Sequence, residues 1–73
     1  MTLKQEIKAL KRGQEKIFKT FNNEYITIRK TKTNGLEIFI EVDGTEAIPL
    51  VYEEIKDNFK EFELITTYNE IDY

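Results

Sequence analysis

Two runs of alternating aliphatic residues flank the tripeptide Thr33-Asn34-Gly35, and few folds accommodate them. On one side Ile26 and Ile28 stand two apart; on the other Leu36, Ile38, Ile40 and Val42 do the same. A period of two is the signature of a strand with one buried face, and Asn-Gly marks a tight reversal. Residues 24–32 and 36–43 are therefore expected to form a β-hairpin. Its register follows from keeping the aliphatic residues together. A two-residue Asn-Gly turn would set Ile26 and Ile28 opposite Asp43 and Glu41, leaving aliphatic side chains on both faces. A three-residue loop with Gly35 in the left-handed region pairs Lys32 with Leu36, Ile28 with Ile40 and Ile26 with Val42. That register collects all six aliphatic residues on one face and is the one expected. The opposite face then carries Tyr25, Thr27, Arg29, Thr31, Glu37, Phe39, Glu41 and Asp43, with Arg29 diagonal to Glu37 and Glu41.

Helical periodicity dominates on either side of the hairpin. In residues 3–21, Leu3, Ile7, Leu10, Ile17, Phe18 and Phe21 fall within a sector of roughly 100° when projected as a helix. Lys4, Lys8, Lys11, Arg12, Lys16 and Lys19 lie nearly opposite, which predicts an amphipathic helix with a basic outer stripe. Gly13 is its weak point, and a break there, with residues 16–21 leaving the helix, is the main alternative. Asp43-Gly44 signals a further turn, followed by a short strand over 45–48. Pro49 suits the first turn of a second helix over 50–62. In that helix Val51, Tyr52, Ile55, Phe59 and Phe62 share the apolar side, and Glu53, Glu54, Asp57 and Glu61 form an acidic stripe. Residues 63–68, rich in β-branched and aromatic types, read as a last strand.

The expected architecture is thus a single α+β domain over 1–73, a two-layer sandwich in the order α-β-β-(β)-α-β, with both helices on one face of a mostly antiparallel sheet. A chain of 73 residues buries only about 60% of the surface its unfolded form exposes, so its core is small. Cysteine and histidine are both absent. Disulfides and thiolate or imidazole zinc sites are thereby excluded as supports, leaving association with another chain as the remaining one. The opening residues carry no apolar run, and no apolar stretch reaches membrane-spanning length. A cytoplasmic location is expected. Abundant Lys, Ile, Asn, Phe and Tyr suit an AT-rich genome, as in Firmicute bacteria, their phages and mobile elements.

Without His or Cys, the usual general bases and strong nucleophiles are missing. The three glycines are too scattered to make a phosphate loop. The chain is expected to be non-enzymatic and to need no cofactor or metal. Its charge is distributed unevenly. Residues 1–36 hold nine Lys or Arg against three acids, and residues 37–73 hold two against eleven; +6 and −9 give the net −3. Such asymmetry points to a macromolecular partner. The leading expectation is a small regulator or inhibitor that binds a larger protein through Glu53, Glu54, Asp57 and Glu61, with Tyr25 and Phe39 on the sheet as a second contact surface. One alternative is a nucleic-acid-binding module using Lys4, Lys8, Lys11, Arg12, Lys16 and Lys19. Another is a homo-oligomer in which the basic helix of one copy meets the acidic helix of the next.

Overall fold

The structure, a computed structural model, describes residues 2–42, 44–55 and 61–70. It is an α+β fold built on a five-stranded antiparallel sheet with two helices. In chain order the elements are α1 (Leu3–Ala9), β1 (Glu15–Thr20), β2 (Glu24–Thr31), β3 (Gly35–Val42), β4 (Ile48–Leu50), α2 (Tyr52–Ile55) and β5 (Phe62–Tyr68). Across the sheet the strands run β4-β3-β2-β1-β5.

The first segment is the largest departure from the sequence expectation. Helix α1 begins at a capping box, in which the Thr2 hydroxyl accepts from the Gln5 amide and the Gln5 side chain accepts from the Thr2 amide. It stops at Ala9, and Leu10 is already extended. Gly13 then turns the chain at φ 82°, a conformation that glycine adopts at little cost. The Gly13 amide donates to the Lys30 carbonyl at 2.6 Å, and the Lys30 amide donates to the Gln14 carbonyl at 3.1 Å. From there β1 pairs with β2, aligning Lys16 with Ile28 and Phe18 with Ile26. The continuous helix through residue 21 is therefore not formed. Ile17, Phe18 and Phe21 fit a helical stripe, yet β-branched and aromatic residues suit a strand equally well in so short a run. As a strand, residues 15–20 continue the hydrogen-bond ladder on the open side of β2 and bring Phe18 into the core beside Ile26.

The hairpin forms with its register moved by two residues. Thr31 pairs with Gly35, Lys30 with Leu36, Ile28 with Ile38 and Ile26 with Ile40, in place of Lys32–Leu36 and Ile28–Ile40. Thr31 fixes this closure. Its hydroxyl accepts from the Asn34 amide at 2.8 Å and donates to the Gly35 carbonyl at 3.3 Å, and the residue is fully buried. A shift of two preserves which face each side chain takes, so the aliphatic residues still share a face. Ile26, Ile28, Ile38 and Ile40 are buried, whereas Leu36 and Val42, at the strand ends, are exposed. Arg29 now sits directly opposite Glu37, and Glu41 opposite Tyr25.

The third expected strand lies further on, at Ile48–Leu50, with Pro49 inside it. An edge position tolerates a residue that lacks an amide proton. Leu50 consequently belongs to a strand, and α2 covers only Tyr52–Ile55 within the described residues. Asp57 and Phe59 lie outside them, as do Asp43 and Tyr73. Phe62 is the first residue of β5 and meets Phe18 edge to face at 5.1 Å. The buried cluster contains Leu3, Ile7 and Leu10 from the first segment, Ile55 from α2, and Phe18, Ile26, Ile28, Ile38 and Ile40 from the sheet. Glu6 of α1 and Lys16 of β1 form an ion pair at 3.5 Å beside it.

Gly13 supplies a test of this account. A Cβ at that position would meet only Lys32 Cε at 3.9 Å, so space is available and the cost of a side chain is purely conformational. Gly13→Ala is expected to destabilise the fold by about 1–2 kcal/mol in urea unfolding, and Gly13→Asn by less, since Asn tolerates positive φ.

Candidate functional site

Alternation along β1, β2 and β3 turns the odd-numbered residues away from the buried cluster, and pairing aligns them in rows across the sheet. One row reads Glu37, Arg29, Glu15, Tyr68 from β3 to β5. The next reads Pro49, Phe39, Thr27, Ile17, Thr66, starting from β4. A third reads Glu41, Tyr25, Lys19, Glu63. The middle row is uncharged and includes Phe39 and Ile17. Both outer rows carry charge, with an acid at each end of the third and two acids around Arg29 in the first.

Arg29 organises this surface. Its Nε donates to Glu37 Oε1 at 2.8 Å and its Nη1 approaches Glu15 Oε2 at 3.5 Å. The guanidinium also lies over the Phe39 ring, 4.8 Å from the centroid, a favourable cation–π geometry. Desolvation opposes its charge, but the hydrogen bond and charge of Glu37, with smaller contributions from Glu15, outweigh that effect and raise its pKa above the usual value. The group is a permanent cation. Lys19 makes a similar contact in the third row, with Nζ 5.8 Å from the centroid of the Tyr25 ring. Glu15 is nearly buried, so an acid at this position depends on the neighbouring guanidinium for compensation.

Between these groups lies an open hollow of about 340 Å³, lined by Glu15, Thr27, Arg29, Phe39 and Ala47. It combines an aromatic ring, a hydroxyl, a cation and a carboxylate. Such a set offers contact and hydrogen bonding to a polar or aromatic group. Among the described residues, no group of three or more potential metal-ligating side chains stands together.

The residues anticipated from the sequence are brought together only in part. Tyr25 and Phe39 do share one face, in neighbouring rows. Glu53 and Glu54 lie exposed in the first turn of α2, but Glu61 is in a bend before β5, and Asp57 is outside the described residues. The single basic stripe is not formed. Lys4 and Lys8 are exposed on α1, and Lys11 and Arg12 are exposed beyond its end. Lys16, however, is bound to Glu6 on the cluster side of β1, and Lys19 points to the other face over Tyr25. Glu15, Ile17 and Lys19 join the sheet face through β1, a membership that the helical reading of residues 3–21 hides. No family model, curated protein or solved structure matches the chain. Among the described residues, no helix is long and apolar enough to cross a membrane.

The Arg29 network gives a quantitative expectation. Arg29→Met leaves Glu15 without its cation and is expected to cost about 1–2 kcal/mol in urea unfolding. Adding Glu15→Gln to that variant should recover much of the loss. Purely additive effects in the double-mutant cycle would show that the two side chains are not coupled.

Proposed function

We propose that this chain is a small non-enzymatic interaction protein, a cytoplasmic regulator or inhibitor that binds a larger protein through the odd-numbered face of its sheet. This assignment takes the fold to be a two-layer sandwich with both helices on the opposite face. Membership of Leu3, Ile7, Leu10 and Ile55 in the same cluster as Ile26, Ile28, Ile38 and Ile40 supports that arrangement.

The observation that carries the proposal is the order of the three rows. An uncharged strip containing Phe39, Thr27 and Ile17 is bordered on both sides by charge, with Arg29 packed on the ring of Phe39. An apolar centre with a polar rim is the usual anatomy of a protein interface, and aromatic residues and Arg are the types most often found at its energetic centre. The described rim holds Glu15, Glu37, Glu41 and Glu63 against Arg29 and Lys19. Its excess of acid favours a partner that presents Lys or Arg around an apolar or aromatic side chain. It also disfavours phosphate, since both cations are already engaged over aromatic rings and Arg29 is paired with acids besides. Exposed Glu53 and Glu54 extend the acidic character of the chain beyond this face.

The test is affinity capture from the native cell with the immobilised protein, comparing the unaltered chain, Phe39→Ser, and Glu53→Lys/Glu54→Lys. A protein retained by the unaltered chain, unaffected by nuclease and lost with Phe39→Ser, supports the assignment. Loss with the α2 variant alone would move the contact to the acidic helix. Retention of only nuclease-sensitive material, lost instead on reversal of Lys4 and Lys8, would replace the proposal with a nucleic-acid-binding role.

A further inference from the structure

We infer that the end of the sheet at the β2–β3 turn is a contact surface for the phosphate backbone of duplex nucleic acid. None of its cations belongs to the rim of the sheet face, so the inference does not rest on the reading above. The stretches 4–12 and 30–36 contain six cations, Lys4, Lys8, Lys11, Arg12, Lys30 and Lys32, and a single acid, Glu6. The fold draws the two stretches together. The Gly13 amide bonds the Lys30 carbonyl at 2.6 Å, which lays the turn that follows Lys11 and Arg12 against the segment carrying Lys30 and Lys32. Lys32 Cε stands 3.9 Å from the place a Cβ would take on Gly13. The Lys11 amide donates to Gln14 Oε1 at 3.1 Å, and its carbonyl accepts from the Gln14 amide at 3.0 Å, so the turn itself is fixed. Lys8 and, one turn further back, Lys4 extend the cluster along the exposed side of α1.

The acids that could neutralise this surface are engaged or distant. Glu6 pairs with Lys16, and Glu15 and Glu37 pair with Arg29. The remaining acids of the strands, Glu24, Glu41 and Glu63, lie at the other end of the sheet. Among the described residues, none of the six cations takes part in an ion pair. Five of them are exposed and Lys30 is half-buried. One acid borders the surface: Glu70 follows Asn69, whose side chain accepts from Gln14 at 3.0 Å. The surroundings of the cations select the partner. A protein interface is built on an apolar centre, and Leu36, at 36% exposure, is the only large apolar residue exposed in the two stretches. It gives a bilayer equally little to hold. Neither stretch contains an aromatic residue, so unpaired bases would find nothing to stack on. Exposed Lys and Arg beside Thr33 and Asn34 match a row of phosphates, to which they offer charge and hydrogen bonds without reading sequence. With acid gathered at the far end, the field of the molecule turns this end toward a polyanion.

Fluorescence anisotropy of short labelled DNA duplexes of two unrelated sequences, titrated with the full chain, tests the inference. The two duplexes should bind alike. Engagement of about four phosphates should weaken affinity roughly hundredfold between about 50 and 200 mM salt. Arg12→Gln/Lys32→Gln, at two exposed positions, should weaken binding roughly tenfold or more at the lower salt and reduce the slope of log affinity against log salt by about two. Glu70→Gln should tighten it. Circular dichroism establishes that each variant is folded, and the salt series on the unaltered protein reads the surface even where a variant is not. Failure to bind at the lower salt, affinity indifferent to salt, or unchanged affinity in the folded double variant would overturn the inference. So would tighter binding of a single strand of the same length, or of vesicles containing phosphatidylserine.

Discussion

The hydrogen bonds that tie Gly13 and Gln14 to Lys30 determine what the next six residues become. Once the chain has turned at Gly13, residues 15–20 lie along the open side of β2 and meet its unpaired amides and carbonyls. Satisfying those groups outweighs the marginal propensity of a short helix. The consequences spread across the molecule. Phe18 enters the core next to Ile26, Lys16 reaches Glu6 on α1, and β5 gains the strand on which it docks. The Gln14 side chain also donates to Asn69 just past the end of β5, at 3.0 Å, so one short turn contacts both β2 and the end of β5.

The same event creates the candidate site. Were residues 15–20 helical, the face opposite the core would comprise only β2, β3 and β4, and Arg29 would have Glu37 but not Glu15. With β1 in place, Glu15 comes beside Arg29, Lys19 comes over Tyr25, and Ile17 continues the uncharged strip that begins at Phe39. The packing of the sheet and the proposed contact surface meet at Arg29. Its charge is held by two acids and spread over an aromatic ring, which fixes the side chain in place before any partner arrives. A contact group that is already ordered loses little freedom on binding.

Much of this was legible in the sequence. The alternation of Ile26, Ile28, Ile38 and Ile40 identified the hairpin and its buried face, and residues 63–68 identified the last strand to within one residue of its observed start. The α+β class followed from those elements. Register was harder, because moving the pairing by two residues leaves every side chain on its own face. Hydrophobic patterning is blind to that choice, and the hydroxyl of Thr31 makes it. Residues 15–20 were ambiguous for a different reason: Ile17, Phe18 and Phe21 satisfy a helical period, and six residues are too few to separate the two patterns. The sheet-face aromatics Tyr25 and Phe39 could be named in advance, but their cationic and acidic neighbours on β1 could not. The Thr2-to-Gln5 spacing did carry a readable signal for the start of α1.

The claim on which the site rests is that residues 15–20 form a strand beside β2. Antiparallel pairs that do not exchange hydrogen bonds bring their Cα atoms closest. Because the Lys30 amide bonds the Gln14 carbonyl, those close pairs fall at Glu15 with Arg29, Ile17 with Thr27 and Lys19 with Tyr25. Nuclear Overhauser spectroscopy should therefore show strong Hα-to-Hα contacts between Ile17 and Thr27 and between Lys19 and Tyr25. Sequential amide-to-amide contacts running through residues 15–20, with those cross-strand signals missing, would mean a helix there and would contradict the account.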